Sequence, residues 1–257
     1  MSKCRFITSV IALSSAFQVV AQERPQPVFK HGETLHFNIK YLGLTGGKMA
    51  FTTNEERLNG KDVFHVKIAA RTTGLVDNLY GVHDILESYF DKSTGLPEKS
   101  IRNISEGRHR AYDEIDFFHN EHYIVSQKNG RIDVPEDIHD FISAIYYLRR
   151  MDFNTMEAGN VVTFQVYFEN EQFPMPMIYK GKERLKVRSK VYMTHKFVPI
   201  LKPGKLFSNK EAMVISFSDD RNKIPINVCI NFKVGAFKFE LKDCQNLLHP
   251  FDALVEQ

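Results

Sequence analysis

Residues 35–41 read Leu-His-Phe-Asn-Ile-Lys-Tyr, and this stretch is the clearest indication of the fold. Apolar and polar residues alternate throughout it, so one face of the extended segment is apolar and the other is polar. Alternation with a period of two is typical of a β-strand that has one face in the core and one in water. The segment therefore predicts a half-buried strand near the start of the folded part of the chain.

The same alternation recurs along the rest of the chain. Turn sequences rich in Gly, Asn, Asp and Pro separate the alternating segments, as expected for short strands joined by hairpins. The further predicted strands are residues 63–68, 85–91, 110–118, 122–127, 161–168, 185–192, 213–217, 226–232 and 237–241. This pattern predicts a mostly β protein, either an antiparallel β-sandwich or a partly open barrel.

One segment has a helical period instead. Its apolar residues are spaced three and four apart and form a single stripe, which is typical of an amphipathic helix. The stripe consists of Ile138, Phe141, Ile142, Ile145 and Leu148. Pro135 and Glu136 suit a first helical turn, and Arg149 and Arg150 suit a last one. The sequence thus predicts one central helix over about residues 136–151, packed across or capping the sheet.

Residues 1–21 are predicted to be a cleaved secretory signal peptide. Lys3 and Arg5 form its positively charged start, an apolar stretch follows, and small residues precede Gln22, which is the order that processing requires. The apolar stretch is shorter than the about 20 residues that span a bilayer. Cys4 lies away from the cleavage site, so we expect neither a transmembrane nor a lipid anchor. Residues 22–257 are expected to form a single β-rich domain outside the cytoplasm.

Charge and cysteine content limit the partners of the exported part. The chain has a net charge of +3, of which Lys3 and Arg5 contribute two, so the exported part is near neutral and we expect no nucleic-acid partner.

Cys229 and Cys244 remain after cleavage and flank a predicted hairpin. In an oxidising compartment they could form a disulfide or could stay free, and the distance between their Cα atoms determines which. Neither has metal-ligand spacing.

Four segments, in order, resemble the exported bacterial family DUF3108, a domain of unknown function. They are the stretch that begins Gly32-Glu33, residues 140–149 (Asp-Phe-Ile-Ser-Ala-Ile-Tyr-Tyr-Leu-Arg), residues 181–183 (Gly-Lys-Glu) and residues 218–225 (Ser-Asp-Asp-Arg-Asn-Lys-Ile-Pro). The resemblance covers about residues 32–241. It implies a mostly antiparallel β structure, exported behind a signal peptide to the periplasm or outer envelope of a Gram-negative bacterium. It implies no activity.

The predicted helix carries four candidate ligand-facing residues. Steps of three and four place Asp140, Ser143 and Tyr147 on one face, which could line a ligand cavity or bond to the sheet. Arg149 could pair with a partner on the sheet, or could interact with the negative end of the helix dipole.

Two adjacent carboxylates, Asp219 and Asp220, are further candidates. They stand in a predicted turn between strands. A carboxylate pair could perform acid–base chemistry, but adjacent residues on a strand point to opposite faces. Asp residues are also common in turns for purely structural reasons.

No nucleophile elbow, phosphate-binding loop, dinucleotide fingerprint or zinc-protease motif is present in the sequence. We therefore expect no metal and no cofactor, and favour a non-enzymatic role. The abundant Phe and Met (21 and 8 residues) favour an adaptable apolar binding surface. The preferred prediction is a non-enzymatic binding or assembly module for an apolar or amphipathic ligand or for an envelope partner; the partners considered are a lipid, a glycan and an envelope protein. The alternatives are a hydrolase of an envelope polysaccharide that uses paired carboxylates, and a purely structural interaction domain.

Overall fold

The computed structural model describes residues 28–200, 211–232 and 235–256. The predicted signal peptide lies outside the described residues. The described residues form sixteen strands in one sheet, two α-helices and two short 3-10 helices. The strands are β1 (Glu33–Tyr41), β2 (Leu44–Leu58), β3 (Lys61–Thr72), β4 (His83–Asp91), β5 (Pro97–Glu106), β6 (His109–Phe118), β7 (Tyr123–Ser126), β8 (Gly130–Asp133), β9 (Ile138–His139), β10 (Val161–Phe168), β11 (Glu171–Val187), β12 (Lys190–Pro199), β13 (Met213–Ser218), β14 (Pro225–Phe232), β15 (Gly235–Gln245) and β16 (Leu254–Glu256). The α-helices are α1 (Leu75–Leu79) and α2 (Phe141–Arg150), and the 3-10 helices are His119–Glu121 and Phe153–Thr155.

The strand order is β8-β7-β6-β5-β4-β3-β2-β1-β15-β14-β13-β12-β11-β10-β9, with β16 beside β12. All pairs are antiparallel except β9 with β10. The predicted mostly β fold is therefore confirmed. No backbone ladder joins β8 to β9 in the described part of the chain. Instead, apolar side chains near the two ends of the sheet form one cluster, namely Phe117, Ile124, Val134, Ile138 and Tyr167.

Several strands match their predicted positions, and one prediction is wrong. In β1 the apolar face is inward, with Leu35 and Phe37 fully buried, and β10 has the predicted bounds. The predicted strand 185–192 is instead the end of β11, a tight turn and the start of β12. Arg188 in that turn has φ 58°, and neither Arg188 nor Ser189 is a residue that typically marks a turn of this kind.

Helix α2 begins five residues later than predicted. Ile138 and His139 extend as β9 and pair with β10. Asp140 then caps the helix, because its carboxylate accepts hydrogen bonds from the N–H groups of Ile142 and Ser143. The sequence pattern also does not predict α1, so the expectation of a single helix is incomplete.

The two sides of α2 pack against different halves of the sheet. Ile142 and Tyr146 contact a cluster from β3 and β4 that includes Phe64 and Phe90. Ala144, Ile145 and Leu148 contact a larger cluster from strands β10 to β13. Both halves of the sheet therefore contact one buried helix.

The possible disulfide between Cys229 and Cys244 is absent, and both thiols are free. Cys229 on β14 lies opposite Lys238, whereas Cys244 lies six residues further along β15. At the rise of an extended strand this separation is about 20 Å, whereas a disulfide needs Cα atoms within about 7 Å. Among the described helices, none has the length and apolar character to cross a bilayer.

Candidate functional site

Arg149, predicted to face a ligand or the sheet, lies in a buried structural network. Its guanidinium donates to both carboxylate oxygens of Glu33 at 2.7 and 2.9 Å and to the Asn222 carbonyl at 3.0 Å. It also stacks over the rings of Phe29 and Tyr146. Burial alone would lower the pKa of Arg149, but the adjacent Glu33 charge raises it. Arg149 thus joins α2 to β1 and to the turn after β13, and it is closed to any ligand.

Asp220, the second turn carboxylate, completes this network from the turn. One carboxylate oxygen accepts hydrogen bonds from the Ser218 hydroxyl and from the N–H groups of Asn222 and Lys223. The Asn222 amide in turn donates to the carbonyls of His249 and Pro250. Three of the four segments that carry the family resemblance therefore converge on one buried junction, which indicates that these residues hold the fold together.

Asp219 belongs to a separate chain of polar groups. It accepts from His195 Nε2 at 2.8 Å and pairs with Lys182 at 3.0 Å, and His195 Nδ1 is 2.8 Å from the Tyr179 hydroxyl. Burial would raise the pKa of Asp219, but the bonds from Lys182 and His195 lower it. His195 and Tyr179 are 2% and 3% exposed. Because two of its members are buried, this arrangement gives a substrate no access to the imidazole.

Asp219 and Asp220, the possible carboxylate pair, do not face one site. Asp219 and Asp220 bond to different partners, and Asp140 lies at the opposite end of α2 from the Asp220 network. The length of α2 between Asp140 and Arg149 is about 14 Å. A hydrolase needs two acids that converge on one cleft, and these three do not.

An opening of about 660 Å³, counting the adjoining solvent, lies between strands β4 to β6 and the β10–β11 turn at the start of α2. We call it the edge opening. Its apolar lining comes from distant parts of the chain: Leu86, Ala111, Ile115, Phe141, Ile142 and Phe168. The cavity within it is about 70 Å³, below the about 300 to 1,000 Å³ of typical small-molecule sites, so the edge opening can take only one end of a larger molecule.

Polar groups stand around this apolar lining. Arg102 pairs with Glu169 at 2.7 Å across the opening, and Lys128 lies at its margin. The Tyr167 hydroxyl is buried beside the Asn129 side-chain amide, which donates a hydrogen bond to Asn170 Oδ1 at 2.7 Å.

Asp140 is the one predicted ligand-facing residue that lines the edge opening. Burial raises its pKa to about 6, although hydrogen bonds from the Ser88 hydroxyl at 2.5 Å and from backbone N–H groups act in the opposite direction. A strongly shifted carboxyl group in a cleft is a common feature of functional sites.

Ser143 and Tyr147, the other helix candidates, face elsewhere. Ser143 is fully buried and bonds to His139 Nδ1 at 3.1 Å. Tyr147 packs edge-on against His139 and Phe164. The predicted polar face of α2 is therefore mostly a contact between helix and sheet.

The sequence analysis missed Arg102, Lys128 and Tyr167. Arg102 lies on β5, which had no clear alternation and was not predicted as a strand. Tyr167 lies on a predicted strand, but periodicity assigns it only to a face and does not reveal that it lines an opening.

Comparison with known proteins gives a family and a fold. Residues 36–242 match the family described as "Protein of unknown function (DUF3108)". A β-barrel-like protein of the DUF1849 domain of unknown function, from Brucella abortus, aligns over 90% of this chain and 100% of its own, with 10% identity and a TM-score of 0.56. A DUF1089-family protein from Pseudomonas aeruginosa aligns over 71% of this chain and 89% of its own, with 10% identity and a TM-score of 0.38. No curated protein matches.

Proposed function

The chain belongs to the DUF3108 family, and we propose that it is a non-enzymatic envelope protein that binds an amphipathic molecule in the edge opening. The observation that carries this proposal is the combination of an apolar lining with the basic side chains of Arg102 and Lys128 at its margin. An apolar pocket with few convergent polar groups is the usual form of a small-molecule site. Arg102 and Lys128 would suit a ligand with a polar or anionic head group.

The proposed architecture is a partly open barrel around α2. Two observations support it: α2 packs against both halves of the sheet, and side chains from its two ends form one cluster. In such a barrel the edge opening is a lateral entrance beside the start of the helix. We propose export by the signal peptide to the periplasm or outer envelope, where lipids and lipid-linked glycans would be available ligands.

Replacing Ala111 with tryptophan tests the proposal. Ala111 lines the edge opening, and an indole there would fill the space that the ligand needs. Native mass spectrometry of protein purified from its own envelope should show a bound adduct on the wild type and its loss from Ala111→Trp. The matched control is Ala158→Trp, since Ala158 is exposed on the loop before β10. An adduct of equal occupancy on both variants, or a wild type without any adduct, would refute the assignment.

A further inference from the structure

Six exposed apolar side chains gather at one end of the sheet, where β1 turns into β2 and where α1 links β3 to β4. Leu42, Leu44, Leu75 and Leu79 are 71%, 77%, 80% and 87% exposed. The complete set, which we call the apolar tip, is Leu42, Leu44, Leu75, Val76, Leu79 and Tyr80. Scattered exposed leucines are ordinary, whereas a contiguous group of this kind marks a site of interaction.

Contacts hold the segment around α1 against the ends of β2 and of the β5–β6 hairpin. The Val76 side chain lies against Gly46 of β2, and the Thr73 N–H donates to the Gly46 carbonyl at 2.9 Å. The Tyr80 ring packs on Gly107 in the β5–β6 turn, so tightly that a Cβ there would lie 2.6 Å from the ring. The apolar tip therefore extends across the ends of several neighbouring strands.

Helix α1 exposes its apolar leucines, unlike an ordinary surface helix. One of its two polar residues faces the protein, since Asp77 accepts from the Thr72 hydroxyl at 2.6 Å and lies 3.3 Å from His83, whereas Asn78 is exposed. None of its residues is buried, and its leucines project into solvent. A surface helix normally buries its apolar face and exposes its polar one. The fold thus fixes α1 by its polar side and leaves the apolar side to an external partner.

Basic side chains flank the apolar tip without carboxylate partners. Lys48 lies on β2, four residues after Leu44, and is directly opposite Arg71 on β3. Arg108 lies in the β5–β6 turn next to Gly107, Arg110 lies at the start of β6, and both are exposed. None of these four cations lies within 4.0 Å of a carboxylate in the described part of the chain. Like charges directly opposite on a sheet repel each other. Asp84 and Asp243 line the same cavity as Lys48 and Arg71 and offset part of that repulsion, and an anionic partner would offset more of it.

We propose that the apolar tip docks on an anionic phospholipid bilayer, with the leucines inserted among the acyl chains and the four cations against the head groups. Apolar insertion combined with basic residues is the combination by which peripheral proteins bind such surfaces. Projecting leucines at the end of a sheet suit a soft bilayer better than a preformed protein groove. This inference does not depend on ligand binding in the edge opening.

Co-sedimentation with lipid vesicles tests the role of the leucines. The wild type should bind vesicles of phosphatidylcholine mixed with phosphatidylglycerol, and Leu75→Asp/Leu79→Asp should bind them about a hundredfold more weakly, because two leucines no longer leave water. Val161→Asp is the matched control, since Val161 is 54% exposed but lies on β10. It should bind like the wild type. All substituted positions are exposed, and circular dichroism confirms that each variant is folded.

The double variant Arg108→Ser/Arg110→Ser tests the role of the basic residues. This variant should lose most of its preference for vesicles that contain phosphatidylglycerol over phosphatidylcholine alone, and high salt should reproduce the effect in the wild type. Failure of the wild type to bind vesicles, or equal loss in Val161→Asp, would overturn the proposal. Self-association that depends on Leu75 and Leu79, without vesicle binding, would also overturn it and assign the tip to contact between copies of this chain.

Discussion

Replacing Glu33 with glutamine should lower the free energy of unfolding by about 3 to 5 kcal/mol. The Glu33 and Arg149 side chains are both 0% exposed, and two hydrogen bonds join them. Glutamine removes the charge that compensates the buried guanidinium and turns an N–H group toward it. Urea unfolding followed by far-ultraviolet circular dichroism measures the change, since the chain contains no Trp.

Two controls separate the buried pair from a general loss of charge. Asp133→Asn breaks the Arg131–Asp133 pair, whose side chains are 62% and 85% exposed, and should cost less than about 1 kcal/mol. Glu33→Leu/Arg149→Leu removes both charges and should be more stable than Glu33→Gln, because no charge is left buried alone. A loss of less than about 1 kcal/mol in Glu33→Gln would contradict this account.

The strands could be predicted where one face is buried and the other is exposed to solvent. β1 and β10 meet that condition, and their bounds follow from alternation with little error. The start of α2 could not be placed in the same way, because Ile138 continues the helical stripe although it belongs to β9. The decisive local signal was Asp140, a good N-cap residue placed before Ile142 and Ser143.

The sites could be predicted much less well than the strands. Glu33 and Arg149 are 116 residues apart in the chain, and periodicity places each on a face without identifying its partner. The edge opening joins Leu86, Ala111 and Phe168 only through the strand order and curvature of the sheet. The apolar tip was missed because exposed leucines in turns resemble core residues in the sequence alone.

His139 and Asp140 should have opposite effects on acid stability. Burial, assisted by the nearby His119, lowers the pKa of His139 to about 3 from 6.5. The stability that neutral His139 contributes is therefore complete above pH 6.5 and is lost as the pH falls toward 3. Burial raises the pKa of Asp140 to about 6 from 3.8. Its contribution is complete below pH 3.8 and is lost as the pH rises through 6.

Asp140→Asn should therefore make the protein sensitive to acid. Asparagine keeps the ability to cap α2 but cannot take up the proton, so the variant should lose about 3 kcal/mol relative to the wild type between pH 7 and pH 4. His139→Gln should instead become more stable relative to the wild type as the pH falls, by up to about 5 kcal/mol toward pH 3. Urea unfolding at constant ionic strength across this range measures both, with Asp133→Asn as an exposed control that leaves the profile unchanged.

The double variant His139→Gln/Asp140→Asn decides whether the two neighbours act as a compensating pair. If each residue titrates as its burial dictates, the opposite slopes cancel, and the double variant follows the wild-type profile between pH 4 and 6 more closely than either single variant does. If the wild type and both single variants have parallel profiles of stability against pH, neither group changes its pKa on folding. In the wild type this compensation would keep the start of α2, and with it the edge opening, intact in mildly acidic surroundings.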